Sequence, residues 1–165
     1  MATEQSFASP EVAGAWRHIE RSLDSIVQLV AESDPAALNW QPPAADGNSI
    51  YVLAVHILGA AGEGLLSLAG AFDRGRDRDA EFRAAGETAE FVTERWSTLR
   101  QQLGGLLPGI TTEQLNAQYD HPRYGSVTRL EAMLTVADHA AMHLGHAELT
   151  RDLWQQHLGQ QAPGA

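Results

Sequence analysis

TRLEAMLTVADHAAMHLGH, residues 128–146, opens the longest helix predicted for this chain. Its first turn, Thr128-Arg129-Leu130-Glu131, is a capping box in which each outer side chain satisfies the other residue's otherwise unpaired backbone N–H. From there the helix is expected to run to about residue 158. His139 and His143 lie four residues apart, so they stack on one helix face and their rings can converge on one point. That spacing is how a single helix presents two nitrogens to a metal ion. Ala140-Ala141-Met142 separates them, and no Glu follows the first His, which removes the general base of a zinc metalloprotease. No Glu-x-x-His pair occurs either, which excludes a di-iron carboxylate bundle. A third ligand must come from another helix.

Working outward, three more helices are predicted. Ser9-Pro10-Glu11 starts the first with a capping hydroxyl, a proline of preset φ and a carboxylate at the positive helix end. Val12, Trp16, Ile19, Leu23, Ile26 and Val30 then recur at three- and four-residue steps along one face. Asp34-Pro35 ends it, because the residue before proline is pushed out of the α region. Asn48 or Ser49 caps a second helix expected to reach about Phe72. A third begins near Thr88, with Val92, Trp96, Leu99, Leu103 and Leu106 as its buried stripe, and Pro108 stops it. Thr111-x-x-Gln114 predicts a short extra helical turn before the last helix. The alternating charges of residues 73–79 read as a solvated loop, and residues 119–126 as an ordered loop with no strand pattern. The expectation is an all-α four-helix bundle with long connecting loops. One domain spans 1–165, with its core at about 9–158 and a frayed, flexible C-terminal tail.

Composition narrows the chemistry. The 165 residues carry 11 basic side chains, all Arg, against 21 acidic ones, for a formal charge of -10. Nucleic-acid backbones and anionic membrane surfaces are therefore not expected partners. With no Lys, a phosphate-cradling P-loop and Schiff-base catalysis are excluded; with no Cys, so are disulfides, thiolate metal sites and cysteine nucleophiles. Residues 1–9 are polar and lack the apolar run of a signal peptide, and a reducing cytoplasm suits a cysteine-free chain. Residues 50–72 are the most apolar, but His56, Glu63 and several Gly interrupt them, so they read as a buried helix and not a membrane span.

His56 is the candidate third ligand, set in the middle of the second helix among Leu53, Val55, Ile57 and Leu58. Together, His56, His139 and His143 would form a three-nitrogen facial site with open positions, suited to Zn, Ni, Fe or Mn as the divalent ion. The competing readings are a core histidine bonded to a carbonyl at position 56 and a solvent-facing chance pair at 139 and 143. His18, His121 and His157 look ordinary.

These residues resemble a known family. His56 followed by Asp138-His139-Ala-Ala-Met-His143-Leu-Gly-His146 is similar to the DinB-like superfamily of metal-binding four-helix bundles. Leu38-Asn39-Trp40-x-Pro42 before Asn48-Ser49-Ile50, and Tyr124-Gly125-Ser126-Val127-Thr128, resemble its first loop and the start of its last helix. The likeness spans about Trp16 to Trp154. Members typically carry Gln where this chain has His146, so His146 stands as a bystander, a support for a ligand or an alternative ligand. At i+7 from His139 it lies roughly 10 Å further along the helix, which strains convergence of all three on one ion.

The superfamily includes S-transferases and isomerases that use low-molecular-weight thiols such as bacillithiol, mycothiol or glutathione. The resemblance therefore implies a bacterial metal-dependent enzyme acting on a small-molecule substrate with a thiol co-substrate, and by family precedent a homodimer. A thiol at the open position of a divalent ion deprotonates at neutral pH, giving a ready nucleophile. Glu63, two turns from His56 on about the same face, is the candidate base or ligand holder, against the alternative of a carboxylate reaching solvent. Asp138 points about 100° away from the ligands and is the weaker base. Tyr119, Arg123 and Tyr124 are candidates to cover the site. A metal-dependent hydrolase using a metal-bound hydroxide, and a non-catalytic ligand-binding bundle, are the alternatives.

Overall fold

Ser9 accepts the Val12 N–H on its hydroxyl at 3.4 Å, and Pro10 takes the first position of α1 (Pro10–Glu32). All six residues of the expected stripe, from Val12 to Val30, are buried. Each large aliphatic side chain so placed contributes roughly 1.5–3 kcal/mol relative to exposure. The computed structural model describes residues 6–68, 70, 75–121 and 125–161. The polar start at 1–5, the expected helix end at Phe72, the covering residues Arg123 and Tyr124, and tail residues 162–165 lie outside the described residues.

The Asp34-Pro35 step ends α1 and also starts a second helix, α2 (Pro35–Asn39), because the Asp34 carboxylate caps it by accepting from Ala37 N–H at 2.9 Å. Ser49 caps α3 (Ile50–Leu68) through the Val52 N–H at 3.2 Å. This helix is long and apolar enough to cross a membrane by composition, but nearly all of it is buried among its neighbours. α4 (Arg78–Glu81) follows, capped by Asp77, and α5 (Glu90–Leu106) buries Val92, Trp96, Leu99 and Leu103. Leu106 is only half-buried, and Leu107, in the 3-10 turn Leu107–Gly109, is buried in its stead. Thr111 and Gln114 form the capping box of α6 (Thr112–Asn116). α7 (Arg129–Gln161) starts at its own box: Glu131 Oε2 accepts the Thr128 N–H at 2.8 Å, and Thr128 Oγ1 accepts the Glu131 N–H at 3.1 Å. It extends three residues past the expected end at Leu158.

Among the described residues α1, α3, α5 and α7 are the long helices, and they make the bundle. α7 lies against both α3 and α1, and α5 packs on α3 and α1. That arrangement brings the middle of α3 beside the middle of α7.

Two expectations fail. Residues 119–121 and 125–126, expected in a loop, lie in strands: β1 (Gln118–His121) and β2 (Gly125–Thr128) pair antiparallel, with Gln118 opposite Thr128 and His121 opposite Gly125. Four-residue strands are too short to show an alternating pattern, and Gly125, the first residue of β2, takes the left-handed φ of 72° that glycine allows. Nor is the charged segment simply solvated, since the Arg76 side chain is almost wholly buried against α3 and α4.

Candidate metal centre

α3 contributes one imidazole to the bundle interior and α7 contributes two. Ring nitrogens of His56, His139 and His143 lie within 4.8 Å of one another. His139 Nε2 and His143 Nε2 are 2.8 Å apart, the His56 and His139 ring centres 5.4 Å and the His56 and His143 centres 5.1 Å. Metal–nitrogen bonds of about 2.0–2.1 Å place neighbouring ligand nitrogens roughly 3 Å apart, so small side-chain rotations would seat one cation among the three. His143 Nδ1 is buried with no hydrogen-bond partner, in a protein interior where such atoms are normally paired. Three neutral nitrogen donors fit a borderline divalent ion.

His56 is held by residues of α4 and the residue after it. Its Nδ1 is 3.0 Å from Glu81 Oε2, and the ring of Phe82 packs on it at 4.6 Å between centroids. Glu81 is itself buried and accepts from Arg76 through both oxygens, Nε to Oε1 and Nη2 to Oε2, each at 2.9 Å. Arg76 Nη1 also donates to Glu63 at 2.6 Å. Gly59 makes this fit possible, because a Cβ there would overlap the Glu81 carboxylate.

The electrostatics follow from these contacts. Burial would raise the Glu81 carboxyl, but the bonds from His56 and Arg76 outweigh it and hold the group below the ordinary carboxylate value. Burial likewise works against the Arg76 cation, and its bonds to Glu81 and Glu63 more than compensate, raising its pKa. His143 is pushed down from 6.5 to about 3, first by burial and then by the neighbouring imidazoles of His139, His56 and His146. An imidazole so disposed stays neutral, the form that ligates metal.

The other candidates fall beside the three histidines. Glu63 keeps 32% of its side chain exposed but is not alone: it pairs with Arg76, and with Arg76, His121, Thr135 and His139 it lines a cavity of about 20 Å³. His146 is exposed, with its ring 5.7 Å from that of His143, and borders a separate groove with Leu53 and Thr150. Tyr119 sits on β1, its hydroxyl 3.4 Å from Ser67 Oγ near the end of α3. Reasoning from sequence missed Arg76, Glu81 and His121. The charge alternation of residues 73–79 hid Arg76, although a capping Asp77 followed by Glu81-Phe82 was a faint sign of an ordered turn. His121, read as ordinary, is buried on β1.

Residues 18–147 match the family model of the DinB superfamily, and the chain belongs to that superfamily. A conserved protein from Enterococcus faecalis has a similar fold, with a TM-score of 0.71 at 18% identity over 86% of this chain and 95% of that one. The colibactin self-resistance protein ClbS, in complex with double-stranded DNA, matches with a TM-score of 0.60 at 15% identity over 92% of this chain and 98% of its own. No curated protein matches the chain by sequence. The ClbS complex overturns the exclusion of a nucleic-acid partner drawn from the net charge of -10. Net charge sums over the whole surface, whereas a binding face is local.

Proposed function

We propose that this protein is a metal-dependent enzyme that adds or transfers a low-molecular-weight thiol to a small electrophile, with His56, His139 and His143 as ligands of one divalent ion. The observation that carries the reading is the meeting of three imidazoles from two helices, one of them already held at Nδ1 by a buried carboxylate. Such an ion, when bound, supplies the Lewis acidity that favours the thiolate form of a thiol at neutral pH. A cysteine-free chain must take its sulfur from a co-substrate, which fits work in a reducing cytoplasm.

The side chains divide the remaining tasks. Glu63, tethered by Arg76 at the edge of the cavity beside His139, takes the proton that the thiol loses. His121 and Thr135 line the same cavity, whose volume of about 20 Å³ admits a water-sized group beside Glu63. His146 lends bulk and a polar edge beyond His143 without joining the ligands. The sulfur then bonds to the electrophilic carbon as the leaving group departs with its electron pair.

The test is elemental analysis of the purified protein, followed by electrophile turnover with and without a low-molecular-weight thiol. About one divalent ion per chain and thiol-dependent turnover lost in Glu63→Gln are expected. Ester turnover that needs no thiol would instead assign a hydrolase on the same ligands. Protein that takes up no divalent ion would overturn both.

A further inference from the structure

The segment between α3 and α5 does more than connect them. Within one turn of α4 and the residue after it, Glu81 bonds the edge of His56 and Phe82 covers its face. Arg76, from the residues just before α4, grips the same carboxylate through two nitrogens. A carboxylate with only 4% of its side chain exposed is costly to bury, and an apolar side chain could fill that space with equal or better stability. Its presence at the back of a candidate ligand therefore asks for a role beyond stability.

We infer that Glu81 is a positioning residue for the metal centre: it holds the proton of His56 on Nδ1 and so aims the Nε2 lone pair at His139 and His143. The physical basis is the tautomer. In a neutral imidazole one nitrogen carries the proton and the other the lone pair, and the hydrogen bond made by the first decides which is which. A carboxylate at 3.0 Å from Nδ1 accepts that proton's bond and also fixes the ring's rotation. Arg76 holds the carboxylate in place, and its third bond, to Glu63, ties this support to the edge of the cavity beside His139. Gly59 leaves the space in which the carboxylate sits. The consequence for binding rests on the metal-centre reading above; the tautomer does not.

The experiment uses the full chain labelled with ¹⁵N-histidine, as wild type, Glu81→Ala and Gly59→Ala. Long-range ¹H–¹⁵N spectra at pH 8.5 identify the His56 tautomer before any metal is added, and zinc affinity is then measured by chelator competition. Gly59→Ala is the safer probe. Alanine favours helix over glycine, and the clashing group is the far end of a flexible side chain, so the carboxylate moves while the helix stays. Wild-type His56 is expected as the Nδ1–H form. Both variants should show loss of that single form, with zinc affinity ten- to a hundredfold weaker. Folded variants that keep the wild-type His56 tautomer would overturn the inference, leaving Glu81 an anchor for Arg76 alone. Should wild-type protein bind no zinc, the metal-centre reading falls by itself, since the tautomer comparison still decides the role of Glu81.

Discussion

The two sides of the histidine cluster are built differently. On the α3 side, His56 has a carboxylate on its edge, an aromatic ring on its face and a guanidinium behind the carboxylate. On the α7 side, His143 is surrounded by other imidazoles and has a buried Nδ1 with no partner. One side is oriented in advance; the other depends on what arrives. A helix that carries two histidines at i and i+4 needs little help to aim them, because the backbone stacks them. A lone histidine on a neighbouring helix has no such companion and must be aimed by a group from elsewhere in the chain.

Breaking the oriented side should cost most. Glu81→Ala leaves Arg76 buried with Glu63 as its remaining carboxylate bond, and loss of one partner of a buried pair typically costs about 3–5 kcal/mol. Urea unfolding measures this, and a loss under about 1 kcal/mol would place the pair with weak surface ion pairs instead.

The comparison sharpens with leucine at each ligand. His56→Leu deprives buried Glu81 of a donor and should destabilise the metal-free protein by about 1–3 kcal/mol, whereas His143→Leu removes the unpartnered Nδ1 along with the Nε2 contact to half-buried His139 and should cost less. Equal losses in calorimetry would erase the distinction between the sides. Both variants should lose zinc affinity by more than about a hundredfold, exceeding the effect of any supporting residue.

Acid provides a third probe. The His143 pKa is about 3 in the folded protein against 6.5 ordinarily, so the unfolded chain binds the extra proton between those values. Stability conferred by the neutral ring is complete above pH 6.5 and declines as pH falls towards 3. The slope is about 1.4 kcal/mol per pH unit for one proton, and His143→Leu should flatten it in pH-resolved thermal melts. Glu81, held below its usual 4.5, loses its contribution further into acid, in the same direction. The smallest effect belongs to a site away from both sides. Thr128→Ala removes one half of the α7 capping box and should cost about 1 kcal/mol by urea denaturation, with zinc affinity unchanged.

Much of this molecule was legible before any coordinates. The stripe from Val12 to Val30, a cap at Asn48 or Ser49, the boxes at Thr111 and Thr128, and the His139–His143 stack are encoded within a few residues of themselves. Each arises from helix periodicity or from the unpaired groups at a helix end, which are local physics. The pairing of His56 with that stack rested on the resemblance to the DinB-like superfamily, since spacing alone left a core histidine at position 56 open.

What lay beyond the sequence was every contact joining irregular segments to the site. Arg76 sits in a run whose alternating charges look like solvated surface and Glu81 lies two residues beyond it, and only folding buries both side chains. Burial became favourable because the Gly59 backbone leaves room and because His56, 25 residues back from Glu81, presents a polar nitrogen that needs a partner. The sheet carrying His121 likewise forms between strands too short to announce themselves. Periodicity reports which face of an element turns inward; which charged group meets which imidazole is a non-local choice, made where the tertiary structure removes water from both.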